Sequence, residues 1–112
     1  MVLGDFIIMG NNTSIYLNVF NIPFTTANSE VKWQFPKGAK KFTMHTRNGS
    51  AVRIATQPGL VAGSNNPHFT LKANTSMDEG DFDIIDFRQT FYFACAQAGE
   101  VLEIIVGVEN GN

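Results

Sequence analysis

A chain of 112 residues with a formal net charge of −2 and 44% apolar residues has enough material for one folded domain and one core. That apolar content excludes wholesale disorder, and no run reaches the ~18 apolar residues of a membrane-spanning helix. The single cysteine, Cys95, excludes an intrachain disulfide and fits synthesis in a reducing cytosol. The first residues lack a basic region, and Asp5 interrupts their apolar run, so a signal peptide is not expected. Ten phenylalanines against one tryptophan and two tyrosines favour strands over helices.

Residues 1–30 are apolar and rich in Asn and Thr, with Asp5 and Glu30 their only charges. Two readings stand open for this lead. It supplies one or two ordinary strands, or it is an extended arm whose scarcity of charge suits an interface core. An arm predicts that removing residues 1–24 leaves a folded domain.

Period-two alternation then begins. In residues 30–35, Val31, Trp33 and Phe35 fall on one face, with Lys32 and Gln34 on the other. Pro36-Lys37-Gly38 ends the run, because proline cannot donate to a ladder and glycine tolerates positive φ. Residues 41–47 alternate again, with Phe42 and Met44 inward and Thr43, His45 and Arg47 outward. Asn48-Gly49 predicts a type I′ hairpin turn into residues 50–56, where Val52 and Ile54 point inward. Residues 60–62 read as a short edge strand, and residues 68–73 as a strand with Phe69 and Leu71 inward. Residues 74–83 read as a polar acidic loop, and residues 83–87 as a short strand. Residues 90–95 and 100–108 read as a second hairpin joined by Ala96-Gln97-Ala98-Gly99. Residues 101–106 are apolar on nearly both faces, as in a strand buried on two sides or at an interface.

Seven or eight short strands at regular spacing predict an all-β fold: a single jelly-roll-like antiparallel β-sandwich with an apolar N-terminal lead. The lead would span residues 1–30 and the sandwich residues 31–112, as one domain overall.

Charge divides the chain. Residues 31–72 contain no Asp or Glu and sum to +7, whereas residues 73–112 sum to −7. Nucleic-acid binding needs several cations on one face. Here the cations alternate with the inward Trp33, Phe35, Phe42 and Val52, so no nucleic acid is expected. The sharper expectation is that basic strands lie beside acidic ones, each pair contributing a few tenths of a kcal/mol.

Catalytic and metal chemistry find little support. His45, His68 and Cys95 lack zinc-ligand spacing. Cys95 has inward parity beside Phe93, where a thiol is an inert hydrophobe. In the acidic run 78–86, counting calcium ligands from Asp81 puts Ile85 in the third slot. Phosphate-loop, nucleophile-elbow and dinucleotide motifs are absent, and paired carboxylates such as Asp81 and Asp83 need a cleft that so small a sandwich has little room for. The chain is therefore expected to be no enzyme, with no cofactor, no metal and no membrane association.

Several segments, taken in order, carry a resemblance. They are Trp33-Gln34-Phe35-Pro36-Lys37-Gly38-Ala39-Lys40-Lys41-Phe42-Thr43, Ser50-Ala51-Val52-Arg53-Ile54-Ala55, His68-Phe69-Thr70-Leu71-Lys72-Ala73, Thr90-Phe91-Tyr92-Phe93-Ala94, and Ala98-Gly99-Glu100 running into Val101-Leu102-Glu103-Ile104-Ile105-Val106. This order resembles small virion proteins of tailed bacteriophages. The size and apolar lead most resemble the jelly-roll decoration proteins, also called staple or cement proteins, of epsilon15-like capsids. Gly107-Val108-Glu109 departs from that pattern, which usually ends in an aromatic residue, and residues 74–86 lack its Tyr-rich stretch.

The resemblance implies a structural protein of the virion. It would be made in the host cytoplasm, bind the capsid exterior as a homodimer, and clamp neighbouring copies of the major capsid protein. The residues expected at protein interfaces are Phe6, Ile7, Ile8, Tyr16, Phe20 and Phe24 of the lead, and Lys37, Lys40, Lys41, Asp78, Glu79 and Asp81. The alternative is a tail or head fibre module binding host-surface carbohydrate or receptor. Sugar sites of that kind use exposed Trp or Tyr; Trp33 has core parity, leaving Tyr16 and Tyr92.

Overall fold

Inward parity, strand by strand, brings the apolar residues of two sheets together. The computed structural model describes residues 15–62, 66–79 and 89–109. Its eight strands are β1 (Ile15–Phe24), β2 (Val31–Gln34), β3 (Ala39–Thr46), β4 (Val52–Ala55), β5 (Phe69–Leu71), β6 (Ser76–Glu79), β7 (Thr90–Cys95) and β8 (Glu100–Glu109). Among the described residues there is no helix.

The strands form two four-stranded sheets, ordered β1-β8-β3-β6 and β2-β7-β4-β5, with every pairing antiparallel. Strand 1 lies beside 8, 2 beside 7, 3 beside 6 and 4 beside 5. This is the order of a strand ribbon folded in half and rolled up, the jelly roll.

The core lies between the sheets. Ile22, Phe24, Met44, Leu102, Ile104 and Val106 of the first sheet face Val52, Ile54, Leu71, Phe93 and Cys95 of the second. At one end the contact is aromatic. Trp33 stands edge-on to Phe20 at 5.4 Å and to Phe35 at 4.6 Å, and Phe91 meets Phe35 at 5.2 Å. Such pairs contribute about 0.5–1.5 kcal/mol beyond their buried area.

A bulge adjusts the face of β3. Its register against β8 shifts between Ala39 and Lys41, so Ala39 and Phe42, three apart, both point inward. Lys41 is thereby turned onto the outer face.

Both expected hairpins are instead corners between the sheets. β3 and β4 belong to different sheets, as do β7 and β8. Asn48 does not take the positive φ that a type I′ turn needs, although Gly49 does, at +87°. The same turn residues that reverse a chain within one sheet can carry it to the other, and the local pattern does not separate the two. Gly49 is required twice over, because a Cβ there would lie 2.2 Å from Asn74 Oδ1.

Other expectations are corrected. Of the two readings of the lead, residues 15–24 take that of an ordinary strand of the sandwich, since all ten residues of β1 pair with β8. Ser76–Glu79, expected within a loop, is the edge strand β6; its Met77 packs on the core, while Glu79, of the same parity opposite Phe42, is exposed. A single apolar residue on the inward side leaves no alternation to read. Residues 60–62 form no strand; Val61 is buried against Ala55 and Ala94 on the outer face of the second sheet. Phe69 is 56% exposed on the short edge strand β5. The strand expected at residues 83–87 lies outside the described residues.

The charge segments meet as expected. Basic β3 sits between β8 and β6. Lys40 pairs with Glu109 at 3.2 Å, while His45 and Arg47 reach Glu103 at 2.8 and 2.6 Å.

Candidate functional site

The outer faces of the two sheets differ. On the second sheet, residues 56–62 fold over the strands and are tied down. Arg53 Nε donates to the Val61 carbonyl at 2.5 Å and Arg53 Nη2 to Asn28 Oδ1 at 2.7 Å, while the Gly59 N–H donates to Glu30 Oε1 at 2.8 Å. Among the described residues nothing comparable covers the first sheet.

Three rows of outward side chains cross that open face. Leu17, Gly107 and Lys41 are aligned in one row. Val19, Ile105, Thr43 and Asp78 form the next, and Asn21, Glu103, His45 and Ser76 the third. All of these but Ser76, together with Phe42, Ile104 and Glu79, line a shallow depression of about 790 Å³. Its centre is apolar, with Val19 64% and Ile105 38% exposed. Large apolar side chains grouped in water mark a contact surface more often than a single exposed one does.

The rim is charged on three sides. At one end the Lys41 side chain lies across Gly107; a Cβ there would meet Lys41 Cγ at 3.1 Å and Ile15 Cγ2 at 3.2 Å. At the other end Glu103 accepts hydrogen bonds from Arg47 Nε and His45 Nε2. Those two bonds, with Arg47 contributing most, hold the Glu103 carboxyl below its ordinary range. Along the β6 edge stand Asp78 and Glu79, both exposed and without an ion pair among the described residues.

An apolar strip bordered by fixed charges can register a second macromolecular surface: burial supplies affinity and the charges set orientation. Among the described residues, no three His, Cys, Asp or Glu side chains gather as a metal site.

Of the residues expected at interfaces, Lys41, Asp78 and Glu79 come together on this face. Tyr16 is 52% exposed near the start of β1. Phe20 is half-buried against Trp33. Phe24 is a correction: at 1% exposure it belongs to the core and has no surface to offer a partner. Lys37 is exposed in the turn after β2, and Lys40 is engaged by Glu109. Phe6, Ile7, Ile8 and Asp81 lie outside the described residues. Trp33 is half-buried in the aromatic contacts between the sheets, and Tyr92 packs on the Val61 cluster.

Leu17, Val19, Ile105, His45 and Glu103 were not singled out from the sequence as site residues. The signal for Ile105 was present in the two-faced apolar character of β8: one face fills the core and the other opens onto the depression. Comparison with protein-family models, with curated proteins and with solved structures returns no match.

Proposed function

We propose that this protein is a non-enzymatic structural component of a tailed-bacteriophage virion. It binds the capsid exterior as a pair of copies and clamps neighbouring major capsid subunits. The observation that carries this reading is the open face of the first sheet, where Val19 and Ile105 lie exposed beside the half-buried Leu17, between Lys41 and the Asp78–Glu79 edge. The resemblance of the ordered segments to capsid decoration proteins supplies the partner. A shell loaded by packaged DNA is stressed at the joints between capsomers, and a bridging protein adds contact area across each joint. About 1,600 Å² in total is enough for specific association.

The test is direct. Purified protein is added to expanded capsids lacking it, and separately to host cells and surface polysaccharide. Saturable capsid binding that raises the melting temperature of the shell supports the reading. Binding to cells or polysaccharide alone overturns it in favour of a fibre module.

A further inference from the structure

We infer that the open edge of β1 is a pairing surface for a second copy of this chain, with the two β1 strands antiparallel about a two-fold axis at Val19. This deepens the pairing within the proposed function and, for its biological use, rests on that reading.

Each sheet has two edge strands, and three of the four are poor templates. β6 carries Asp78 and Glu79, β2 is four residues long with Lys32 within it, and β5 has three residues. β1 differs: ten residues, Ile-Tyr-Leu-Asn-Val-Phe-Asn-Ile-Pro-Phe, with no charge. Soluble proteins blunt long edges with charges, bulges or a covering segment. Among the described residues no segment lies beside this one.

Absence of charge matters most for self-pairing. Two-fold symmetry sets the central residue opposite itself and every other residue opposite a near neighbour in sequence, so a charged edge strand meets its own charges. β1 has none to repel.

Backbone direction fixes which groups are available. The Phe24 carbonyl accepts from the Gly99 N–H at 2.7 Å, so Phe24 turns its polar groups toward β8. Pro23, one residue earlier, turns its nitrogen to the open side, where a strand proline is tolerated. By alternation, the N–H and C=O groups of Ile15, Leu17, Val19 and Asn21 point to the open edge. An axis at Val19 sets Val19 opposite Val19 and Leu17 opposite Asn21, and leaves the missing N–H of Pro23 to the outermost pair. These side chains share the outer face, so Ile105 and Val19 of each copy join into one apolar stripe running across both sheets.

The experiment uses full-length protein without any capsid. Light scattering is expected to give twice the 12.3 kDa of one chain. Val19→Lys is expected to give the single-chain mass with an unchanged far-ultraviolet circular dichroism spectrum, and an equimolar mixture of Val19→Lys with Val19→Glu to recover the doubled mass. Val19→Cys is expected to form an interchain disulfide on oxidation, since facing residues of a hydrogen-bonded pair lie about 5.5 Å apart at Cα. Phe69→Cys, on an edge of the other sheet, is expected to form none. A single-chain mass for the unmodified protein, a doubled mass retained by Val19→Lys, or open-ended aggregates in place of a closed dimer overturns the inference. A monomer here leaves the capsid assay standing, and failure of capsid binding leaves the pairing standing.

Discussion

The backbone N–H of Asn48 donates to Oε1 of Glu100 at 2.9 Å, across 52 positions of sequence. The same carboxylate accepts from the backbone N–H groups of Val101 at 2.9 Å and Ser50 at 3.1 Å. Glu100 is 2% exposed. It joins the two corners where the chain passes between sheets, β3 to β4 and β7 to β8. Burial alone would raise its pKa, but the hydrogen bonds from Val101, Ser50 and Asn48 together outweigh burial and lower it from 4.5 to about 2.

Stability is therefore expected to depend on acid through Glu100. Its folded-state value is depressed, so its contribution is complete above the unfolded value of 4.5 and is lost as pH falls from there toward about 2. The loss is on the order of 3 kcal/mol. Urea unfolding from pH 7 to pH 2 is expected to show this limb, and Glu100→Gln to flatten it while lowering stability at pH 7 by roughly 2–3 kcal/mol. Glu103, also depressed, acts in the same direction.

Gly49 faces a conformational and a steric demand, and these can be separated. Gly49→Ala is expected to cost about 2 kcal/mol or more, from its φ of +87° and the clash with Asn74 Oδ1. In an Asn74→Gly background the steric part disappears, so the additional cost of Gly49→Ala falls to about 1 kcal/mol. Chemical denaturation of the four proteins in the cycle measures both.

β1 is integral to the sandwich. Deleting residues 1–24 is expected to abolish the cooperative unfolding transition, because Ile22 and Phe24 leave the core and β8 loses a neighbour. Phe24→Ala in the full chain is expected to cost about 3–5 kcal/mol. A folded, cooperatively melting product of the deletion would restore the arm reading of this segment.

Ile105→Asp places a charge at the centre of the open face. Its stability cost is expected to stay within about 1 kcal/mol, because the side chain meets water on one side. Capsid affinity is expected to fall by about 30-fold, as for a central contact residue costing ~2 kcal/mol. Sedimentation of capsids with labelled protein reads the affinity, and urea unfolding of the free protein checks the fold.

Much of the architecture was legible because period-two alternation is a direct consequence of strand geometry. Phe42, Met44, Val52, Ile54, Phe93 and Cys95 all lie inward as their parity requires. What escaped was information that alternation does not carry. It cannot tell a corner from a hairpin, so Asn48-Gly49 reads locally as a turn within one sheet. It fails where an edge strand has one apolar inward side chain, as in β6, and where a bulge resets parity, as at Lys40. Phe69 has the parity of Leu71 but lies on the three-residue edge strand β5, where it stays exposed. For the site, Lys41, Asp78 and Glu79 were legible as charges near turns. Val19 and Ile105 became visible only when the topology set β1 beside β8.

The bare backbone at Gly107 has a consequence for how the depression would be used. With no side chain between them, the aliphatic stem of Lys41 crosses β8 and comes to rest near Ile15. A lysine free in water has many rotamers, and fixing it on association costs up to about 2 kcal/mol of entropy. Here much of that restriction accompanies folding of the chain itself. The aliphatic stem at this end of the face is therefore laid down by the backbone of β8 before any contact is made.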